Sequence, residues 1–411
     1  MGTRGRSVLR TVLAGSLLFG GAFTAAVISG APPASAATVV QTINVGDSPI
    51  GISSFGTHVW VTNSGDNTVT ELNASTGAVV QTIGVGSEPN SVSSDGTHVW
   101  VANQNDSTVT ELNASTGALV QTINVSNSAS GVSSDGTHVW VTNYQGNTVT
   151  ELNASTGAVV QTIGVGNDPV GVSSDGTHVW VANVQDSTVT ELNASTGAVV
   201  QTIGVGGLPY GVSSDGTHVW VANTGDNTVT ELKASTGAVV QTIPVGREPH
   251  AISSDATHVW VANFDDNTVS ELSASTGAVV QTINVGNGPL GVSSDGTHAW
   301  VANLYDSTVT EIAVTNGPLQ IATTSLPDAM VGQPYSFQLQ ATGGTPPYTW
   351  NKYLPKGRGA LPPRLSLSKG GLISGTPKKA GTYTIIVKCL QATAHPNKTL
   401  ATQVLTLTVN P

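Results

Sequence analysis

The feature that most constrains this chain is a unit of 40 residues that recurs seven times with almost no change. A tryptophan marks the spacing in every unit, at Trp60, Trp100, Trp140, Trp180, Trp220, Trp260 and Trp300. Each unit reads as four short segments rich in Val, Ile and Thr, separated by Gly, Asn, Asp and Pro. Such a period is typical of a propeller blade, because a helical repeat would show an apolar rhythm of about 3.6 residues.

The second unit illustrates the predicted blade. Its strands are expected over residues 91–94, 97–103, 108–113 and 118–125. One strand with its turn takes about ten residues, which leaves no room for a helix. The first strand of each unit is short and built from small residues. This composition suits the innermost position, where blades converge and space is least.

The two ends of the repeat region are complementary. Residues 38–45 (TVVQTINV) read as a fourth strand without the three that should precede it, and the last unit, residues 291–313, lacks a fourth strand. Pairing these ends would close the ring and remove its exposed strand edges. The predicted fold is therefore all-β: a seven-bladed β-propeller of 40-residue, four-stranded blades, closed by the N-terminal strand, and a small Ig-like β-sandwich.

The remaining segments set the predicted domain boundaries. Residues 1–36 have a basic start, an apolar stretch and a small-residue cleavage site (ASA), so we expect a secretory signal peptide. The propeller is expected over residues 37–314, a linker over 315–323 and the Ig-like domain over 324–411. These features predict a secreted protein, extracellular or associated with the cell surface, with no transmembrane span after signal cleavage.

Charge is divided unevenly between the two domains. The mature propeller carries 24 acidic residues against Lys233 and Arg247, a formal charge of −22. Residues 317–411 carry nine Lys and Arg against Asp328, a formal charge of +8. So acidic a propeller is a poor partner for nucleic acid. The basic domain is expected to contact an anionic cell-envelope polymer, with two independently solvated domains as the open alternative.

Cysteine and histidine often act in catalysis or metal binding, but in this sequence the cysteine and the seven recurring histidines are predicted to be structural. Cys389, the only cysteine, shares a strand face with Ile385 and Val387, which predicts a buried, inert thiol. Seven histidines recur in the turn SSDGTHVW, at His58, His98, His138, His178, His218, His258 and His298. Because they fall on separate blades, they are too far apart for a coordination sphere of about 2 Å. We expect neither a metal nor a cofactor.

Two short windows vary within the otherwise constant unit. The residue before the innermost strand differs in all seven units: Ile50, Asn90, Ser130, Val170, Tyr210, His250 and Leu290. The residue after the invariant Asn of the second strand also differs in all seven: Ser64, Gln104, Tyr144, Val184, Thr224, Phe264 and Leu304. We call these the first-window and second-window positions.

Strand direction places both windows on one face of the propeller. In an antiparallel blade, the connection into the first strand and that between the second and third strands lie at the same end. The nearly invariant turns SDGTH and NASTG lie at the other end. A constant scaffold with one diversified face predicts recognition of a glycan, peptide or protein around the central channel. Neutral drift in tolerant loops is the alternative.

Catalysis at the same face is a rival hypothesis. The sixth unit brings Arg247, Glu248 and His250 into one connection and Asp265 into the next. A histidine beside a carboxylate can act as a general base, and an arginine can hold an anionic substrate. The sequence shows no metal triad, nucleophile motif or phosphate loop. Binding is therefore favoured over catalysis.

Two family resemblances refine these expectations. The tetrapeptide Trp60-Val61-Thr62-Asn63 and the following TVTELNASTGAVVQTI resemble the YVTN family of β-propeller repeats. That resemblance implies a propeller in which binding, a lyase or lactonase-type activity at the same face, or an architectural surface-layer role are all represented. The segments GQPYSFQLQATGGTPPYTW (332–350) and LSLSKGGLISGTPKKAGTYTIIV (365–387) resemble the putative Ig domain of bacterial surface proteins.

The charge of the C-terminal domain makes a testable prediction. If it holds the protein on an anionic envelope, retention should fall when the salt concentration rises from about 150 to about 500 mM, because salt screens exposed charges. Envelope fractions washed at the two concentrations and probed for the protein measure this. Equal retention in both washes would contradict electrostatic attachment.

Overall fold

The computed structural model describes residues 37–255, 257–314, 319–344, 348–352, 360–390 and 400–411. In these ranges the regular structure is β-strand, apart from one short 3-10 helix over Tyr144–Gly146. Seven antiparallel sheets of four strands form the blades. The innermost strand of each blade contacts those of its two neighbours, and the first contacts the seventh, so the blades form a closed ring. The predicted seven-bladed β-propeller is confirmed.

The strands of each blade are numbered along the chain from the innermost outward. They are, in blades 1 to 7: β2 (Pro49–Phe55), β3 (His58–Asn63), β4 (Thr68–Asn73) and β5 (Val79–Gly84); β6 (Pro89–Ser94), β7 (His98–Asn103), β8 (Thr108–Asn113) and β9 (Leu119–Asn124); β10 (Ala129–Ser134), β11 (His138–Asn143), β12 (Thr148–Asn153) and β13 (Val159–Gly164); β14 (Pro169–Ser174), β15 (His178–Asn183), β16 (Thr188–Asn193) and β17 (Val199–Gly204); β18 (Pro209–Ser214), β19 (His218–Asn223), β20 (Thr228–Lys233) and β21 (Val239–Pro244); β22 (Pro249–Ser254), β23 (His258–Asn263), β24 (Thr268–Ser273) and β25 (Val279–Asn284); β26 (Pro289–Ser294), β27 (His298–Asn303), β28 (Thr308–Ala313) and, from the N-terminus, β1 (Thr38–Asn44).

The second strand of each blade is buried along nearly its whole length. In β7, Val99, Trp100 and Val101 have no exposed surface. Successive side chains of a strand point to opposite faces, so burial of both faces means that neighbouring blades cover both. Trp100 belongs to one apolar cluster with Val139 and Leu152 of the next blade. All seven tryptophans are fully buried, so the residue that marks the repeat spacing is also the largest side chain of the core.

The N-terminal strand closes the ring as predicted. β1 pairs antiparallel with β28, from Thr38 opposite Ala313 to Asn44 opposite Thr308. The amide of Gln41 on this strand donates to Glu311 Oε2 at 2.6 Å in blade 7 and to the Thr76 carbonyl at 3.1 Å in blade 1. The closing strand therefore joins the last blade to the first through its side chains as well as its backbone.

A ring of serines joins the innermost strands around the axis. In blade 2 the backbone N–H of Ser94 donates to Ser53 Oγ of blade 1 at 3.1 Å, and in blade 1 that of Ser54 donates to Ser293 Oγ of blade 7 at 3.0 Å. The five other junctions repeat this bond at 3.0–3.1 Å. These strands are sheet edges, and the ring supplies acceptors for N–H groups that would otherwise lack a sheet partner.

A cluster of charged side chains lies at one end of each blade, beside the SDGTH turn. In blade 2, Asp95 Oδ1 accepts hydrogen bonds from the backbone of Thr97 at 2.9 Å and of His98 at 2.8 Å. In six blades the histidine ring lies 3.3–3.8 Å from this aspartate and 3.5–4.0 Å from the buried glutamate of the third strand. The rings also pack beside the tryptophans. These contacts agree with the predicted structural role of the histidines.

The outer edge of each blade is irregular. In blade 1, Glu71 pairs with Gln81 but Leu72 pairs with Val79, so Val80 is an extra residue and forms a β-bulge. Val79 and Val80 are 49% and 54% exposed. A bulge interrupts the row of unpaired backbone groups that an edge strand would offer to another chain.

The Ig-like domain is a second all-β unit, with sheets of three and four strands and a two-stranded pair. Trp350, Ile373 and Ile385 belong to its common apolar core. Cys389 has no exposed surface, as predicted, and burial raises the pKa of its thiol to about 11. The strands of this domain are β29 (Gln320–Ile321), β30 (Ala329–Met330), β31 (Tyr335–Gln338), β32 (Ala341–Thr342), β33 (Thr349–Lys352), β34 (Leu365–Leu367), β35 (Leu372–Gly375), β36 (Gly381–Leu390) and β37 (Leu400–Asn410).

Some sequence predictions fall outside the described residues. The signal peptide, residues 1–36, lies wholly outside them, and so do residues 315–318 of the predicted linker. Among the residues that are described, no helix is long and apolar enough to cross a membrane.

Removal of the closing strand should destabilise the propeller. Deleting residues 38–44 removes the ladder with β28 and the Gln41 bridge, and at about 1 kcal/mol per hydrogen bond the loss should reach several kcal/mol. Urea denaturation followed by circular dichroism measures the free energy of unfolding. As a control, Val39→Ser with Val40→Ser changes only exposed side chains of the same strand. An unchanged unfolding midpoint for the deletion would contradict closure by β1.

The aspartate–histidine pair of blade 7 predicts a pH effect. Burial opposes the charge of Asp295, but hydrogen bonds from His298 and Thr297 outweigh it and hold the pKa of this carboxyl at about 2. The Asp295 carboxylate, 3.8 Å from the ring, in turn raises the pKa of His298 above its ordinary 6.5. The pair therefore stabilises most between pH 3.8 and 6.5, and its contribution is lost as pH rises through the His298 pKa or falls toward 2.

We expect Asp295→Asn to lower the pKa of His298 toward 6.5, because the amide keeps an acceptor for the turn but loses the charge. An NMR titration of the histidine ring protons measures this, with the histidines of the other blades as internal controls. Titration of His298 at the same pH in both proteins would show that Asp295 does not act on it.

Candidate functional site

Strand register brings the two variable windows together at one end of every blade. In blade 2, Pro89 pairs with Asn103, so the start of β6 lies beside the end of β7. The backbone N–H of Gln104 then donates to the carbonyl of Glu88 at 2.9 Å. The same bond between the windows recurs in other blades, for example from Tyr144 to Ser128. The windows therefore form one continuous surface at the mouth of the channel.

The mouth opens into a cavity of about 360 Å³ on the propeller axis. All seven first-window positions line it, whereas Gln104 is the second-window position that does so. Two of the lining residues are nearly covered, because Ser130 is 2% and Val170 is 7% exposed. The two windows thus differ in place: the first surrounds the cavity, and most of the second lies farther from the axis.

Small residues line the cavity just below the mouth. The positions that follow the first window are Gly51, Ser91, Gly131, Gly171, Gly211, Ala251 and Gly291. A Cβ added at Gly211 would collide with the carbonyl oxygen of His250 in the neighbouring strand. Close packing of adjacent inner strands therefore explains the small residues in this layer. The next layer is aliphatic, with Ile52 and Val92 among its members.

The loops at the mouth are held by a constant set of hydrogen bonds. In blade 2, Asp106 Oδ2 accepts from the backbone of Ser87 at 2.7 Å. Asn67 of blade 1 accepts from the backbone of Glu88 at 2.9 Å. Glu88 has a left-handed backbone, with φ of 52°. In five other blades an equivalent aspartate accepts the same backbone hydrogen bond. Blade 3 has Gly146 at this position.

Sequence reasoning treated these neighbours as variable and missed their role. The available signal was the recurrence of Asp in six of the seven second windows. Each loop is held by hydrogen bonds from its own blade and often also from the preceding blade. The side chains at the mouth are therefore presented on a preorganised backbone. Preorganisation lowers the entropy cost of binding.

Four aromatic rings contact one another in series across blades 5 to 7, and Tyr144 of blade 3 acts on the first of them, Tyr210. We call Tyr144, Tyr210, His250, Phe264 and Tyr305 the aromatic arc. The ring centroids of Tyr210 and His250 are 4.6 Å apart, and those of His250 and Phe264 are 5.3 Å apart. The centroids of Phe264 and Tyr305 are 5.6 Å apart. The arc runs from inside the cavity at Tyr210 to the outer rim, where Tyr305 is 69% exposed.

Asp168 and Tyr144 extend the arc on the other side of Tyr210. Burial, and then the charge and hydrogen bond of Asp168, raise the pKa of Tyr144. Burial, and then Tyr144, raise the pKa of Tyr210. Both phenols therefore stay protonated at neutral pH and can donate hydrogen bonds to a ligand.

His250 is an uncharged ring at neutral pH. Burial lowers its pKa to about 4, against a small opposing effect of Asp265. Its Nδ1 atom is buried and has no hydrogen-bond partner among the described residues. A neutral imidazole with a free ring nitrogen can accept or donate one hydrogen bond, depending on its tautomer.

Among the catalytic candidates of blade 6, Arg247 lies beside Asp265, and Asp265 acts on the ring of His250 without a hydrogen bond to it. Arg247 Nε donates to Asp266 at 2.7 Å, and Arg247 lies 3.9 Å from Asp265. His250 instead faces the cavity, and within the described ranges no carboxylate is hydrogen-bonded to it. The same ranges contain no group of three or more His, Cys, Asp and Glu side chains that could hold a metal ion.

The mouth face is strongly acidic. Its two windows contain one basic residue, Arg247, and eleven acidic ones, a formal charge of −10. The acidic residues are Asp47, Asp66, Glu88, Asp106, Asp168, Asp186, Asp226, Glu248, Asp265, Asp266 and Asp306. Six of these carboxylates hold the loops, so they are both structural groups and sources of negative potential.

Comparisons with known proteins agree with this architecture. No curated protein matches the chain. Among solved structures, hydrazine synthase from Kuenenia stuttgartiensis is 19% identical with a TM-score of 0.59, over 65% of this chain and 96% of that chain. This similarity concerns the fold alone. Residues 317–410 match the family described as putative Ig domain, which confirms the predicted nature of the C-terminal domain.

The repeat region matches a propeller family twice in tandem. The model described as outer membrane protein assembly factor BamB matches residues 44–203 and again residues 185–346. The predicted relation to a propeller repeat family is confirmed, although the matching model is not that of the YVTN repeat. Because the two matches together span most of the sequence, the chain belongs to this BamB-described family of repeat propellers.

Proposed function

We propose that this protein is an extracellular or surface-associated binding protein that recognises a ligand non-covalently at the mouth of its propeller channel. The observation that carries this proposal is a diversified, partly aromatic surface held on loops of constant hydrogen bonding. The cavity of about 360 Å³ is within the size range of small-molecule sites.

Contrast with the opposite face supports the proposal. There the NASTG turn repeats one set of contacts in blades 1 to 4, with Asn73 Oδ1 accepting from Ser75 and Thr76 in blade 1. Drift would act on exposed loops at both ends of the blades. Selection for different contacts at the mouth accounts for change concentrated at one end.

Binding is preferred to catalysis because of the state of the blade 6 residues. A general base needs a pKa near the working pH and a partner that orients it. His250 has a pKa of about 4 and its Nδ1 has no partner in the described structure. Arg247 is occupied by Asp266. The same residues are well suited to contact a ligand that is held and released unchanged.

Replacing the aromatic arc should abolish ligand retention. The variant carries Ser at Tyr144, Tyr210, His250, Phe264 and Tyr305, and the measurement is a pull-down from culture-medium and cell-envelope fractions. We expect components that bind the native protein to be lost, because the substitutions remove the apolar contact area of the mouth. Circular dichroism and thermal unfolding check that the propeller remains folded.

A control variant replaces the same number of large side chains elsewhere on the surface. It carries Ser at Phe55, Val80, Val120, Val160 and Val200, which are 49–54% exposed and lie away from the mouth. Retention should be unchanged in this control. Equal retention by the native protein and the arc variant would contradict binding at the mouth. Binding would then be assigned to the Ig-like domain.

A further inference from the structure

Resting on the function proposed above, we propose that the mouth binds an organic cation: an ammonium or guanidinium group on an apolar stem, held between the aromatic arc and the carboxylates of Asp168 and Asp265. The cation could arrive as a small molecule or as a Lys or Arg side chain of a peptide. The chemistry recognised is the same in both cases.

The aromatic arc provides the first element of such a site. Cations are attracted to the faces of Tyr and Phe rings within about 6 Å of the ring centre. Successive centroids from Tyr210 through His250 and Phe264 to Tyr305 are 4.6, 5.3 and 5.6 Å apart. A group placed against the middle of the arc therefore meets more than one ring.

Two carboxylates provide the second element. Asp168 lies beside the hydroxyl of Tyr144, at one end of the arc, and Asp265 acts on the ring of His250 near its middle. Neither is one of the aspartates that hold the loops. The side chain of Asp265 is 46% exposed; Arg247 donates to Asp266 at 2.7 Å and also lies 3.9 Å from the Asp265 carboxylate, so Asp265 shares one resident cation with Asp266.

The charge of the whole face has the same sign. A formal −10 over the two windows attracts cations and repels anionic ligands. His250 does not oppose this attraction, because its ring is uncharged at neutral pH. Acidic glycans and phosphorylated ligands are therefore disfavoured.

The cavity wall argues against a neutral sugar. Sugars need several free hydrogen-bonding groups, but Asn90 is bonded to Ser130 at 3.1 Å and Ser91 accepts from the backbone of Val132 at 3.3 Å. Most other lining residues are Gly, Val, Ile or Leu. An apolar wall below an aromatic and acidic rim instead suits an alkyl stem that ends in a cation.

Isothermal titration calorimetry of the purified protein tests this with pairs of probes of similar shape, one charged and one neutral. Choline is compared with 3,3-dimethyl-1-butanol, which has the same shape with carbon in place of nitrogen. The peptide acetyl-Gly-Lys-Gly-amide is compared with its norleucine analogue, and methyl glucoside represents neutral sugars. We expect the cation of at least one pair to bind roughly tenfold more tightly than its neutral partner. The pair that shows the difference identifies the source.

Three variants locate the interaction. Asp168→Asn and Asp265→Asn should each weaken cation binding roughly threefold to tenfold, since each removes a negative charge beside a ring of the aromatic arc. Glu88→Gln removes the same charge from the same face in blade 2, away from the arc, and should have a much smaller effect. Equal weakening by all three would overturn a localised site in favour of a diffuse acidic field.

The neutral comparisons keep the proposal falsifiable even if a variant folds poorly. Binding of neither cation, equal binding of the neutral analogues, or preference for methyl glucoside would each overturn it. If the cations fail while the arc variant still loses its pulled-down component, recognition at the mouth stands and only the ligand class is wrong. If both experiments fail, the proposed function falls as well.

Discussion

The structure depends on one contact between residues that are far apart in sequence, the pairing of β1 with β28. Gln41 and Glu311, which meet in this sheet, are separated by 270 residues. Without this pairing, blade 7 would have three strands and an exposed edge. The mouth is sensitive to it because the cavity exists only where all seven inner strands face one another. The recognition proposed at the axis thus depends on closure at the periphery.

Each unit combines constant scaffold residues with exposed positions that vary, which explains how so constant a sequence can carry a diversified site. The scaffold residues do repeated tasks: Trp fills the space between blades, Ser joins the inner strands, and Asp fixes the loops. Asp106 and Asn67 hold the loop at Glu88 through backbone groups, so their bonds do not depend on the side chain that the loop presents. The exposed positions can therefore change without loss of loop geometry, which is the property that a recognition surface requires.

The repeat made most of the fold predictable from sequence. The spacing of Trp60 and its equivalents predicted the blades, and the unmatched segment at residues 38–45 predicted the closure. The face of the site also followed from strand direction. Strand direction fixes the end of a blade on which a residue lies but not its distance from the axis, so it did not predict that Gln104 would be the second-window position that reaches the cavity. The five residues of the aromatic arc could be assigned to the mouth from sequence, but the contacts between their rings could not, since these rings meet across blades that are remote in sequence.

The closing strand has a consequence for how the number of blades is determined. The segment VVQTI of β1 recurs as the outer strand of other blades, for example in β5 and β13, so nothing in its own residues distinguishes blade 7 from the rest. The ring size is then specified by how many units the chain contains and by the wedge shape of each blade, rather than by a unique recognition sequence at the seam. A chain that gained or lost one unit would keep matching ends. Its ring could close only if the angle between neighbouring blades changed, and the serine ring is where that angle is set.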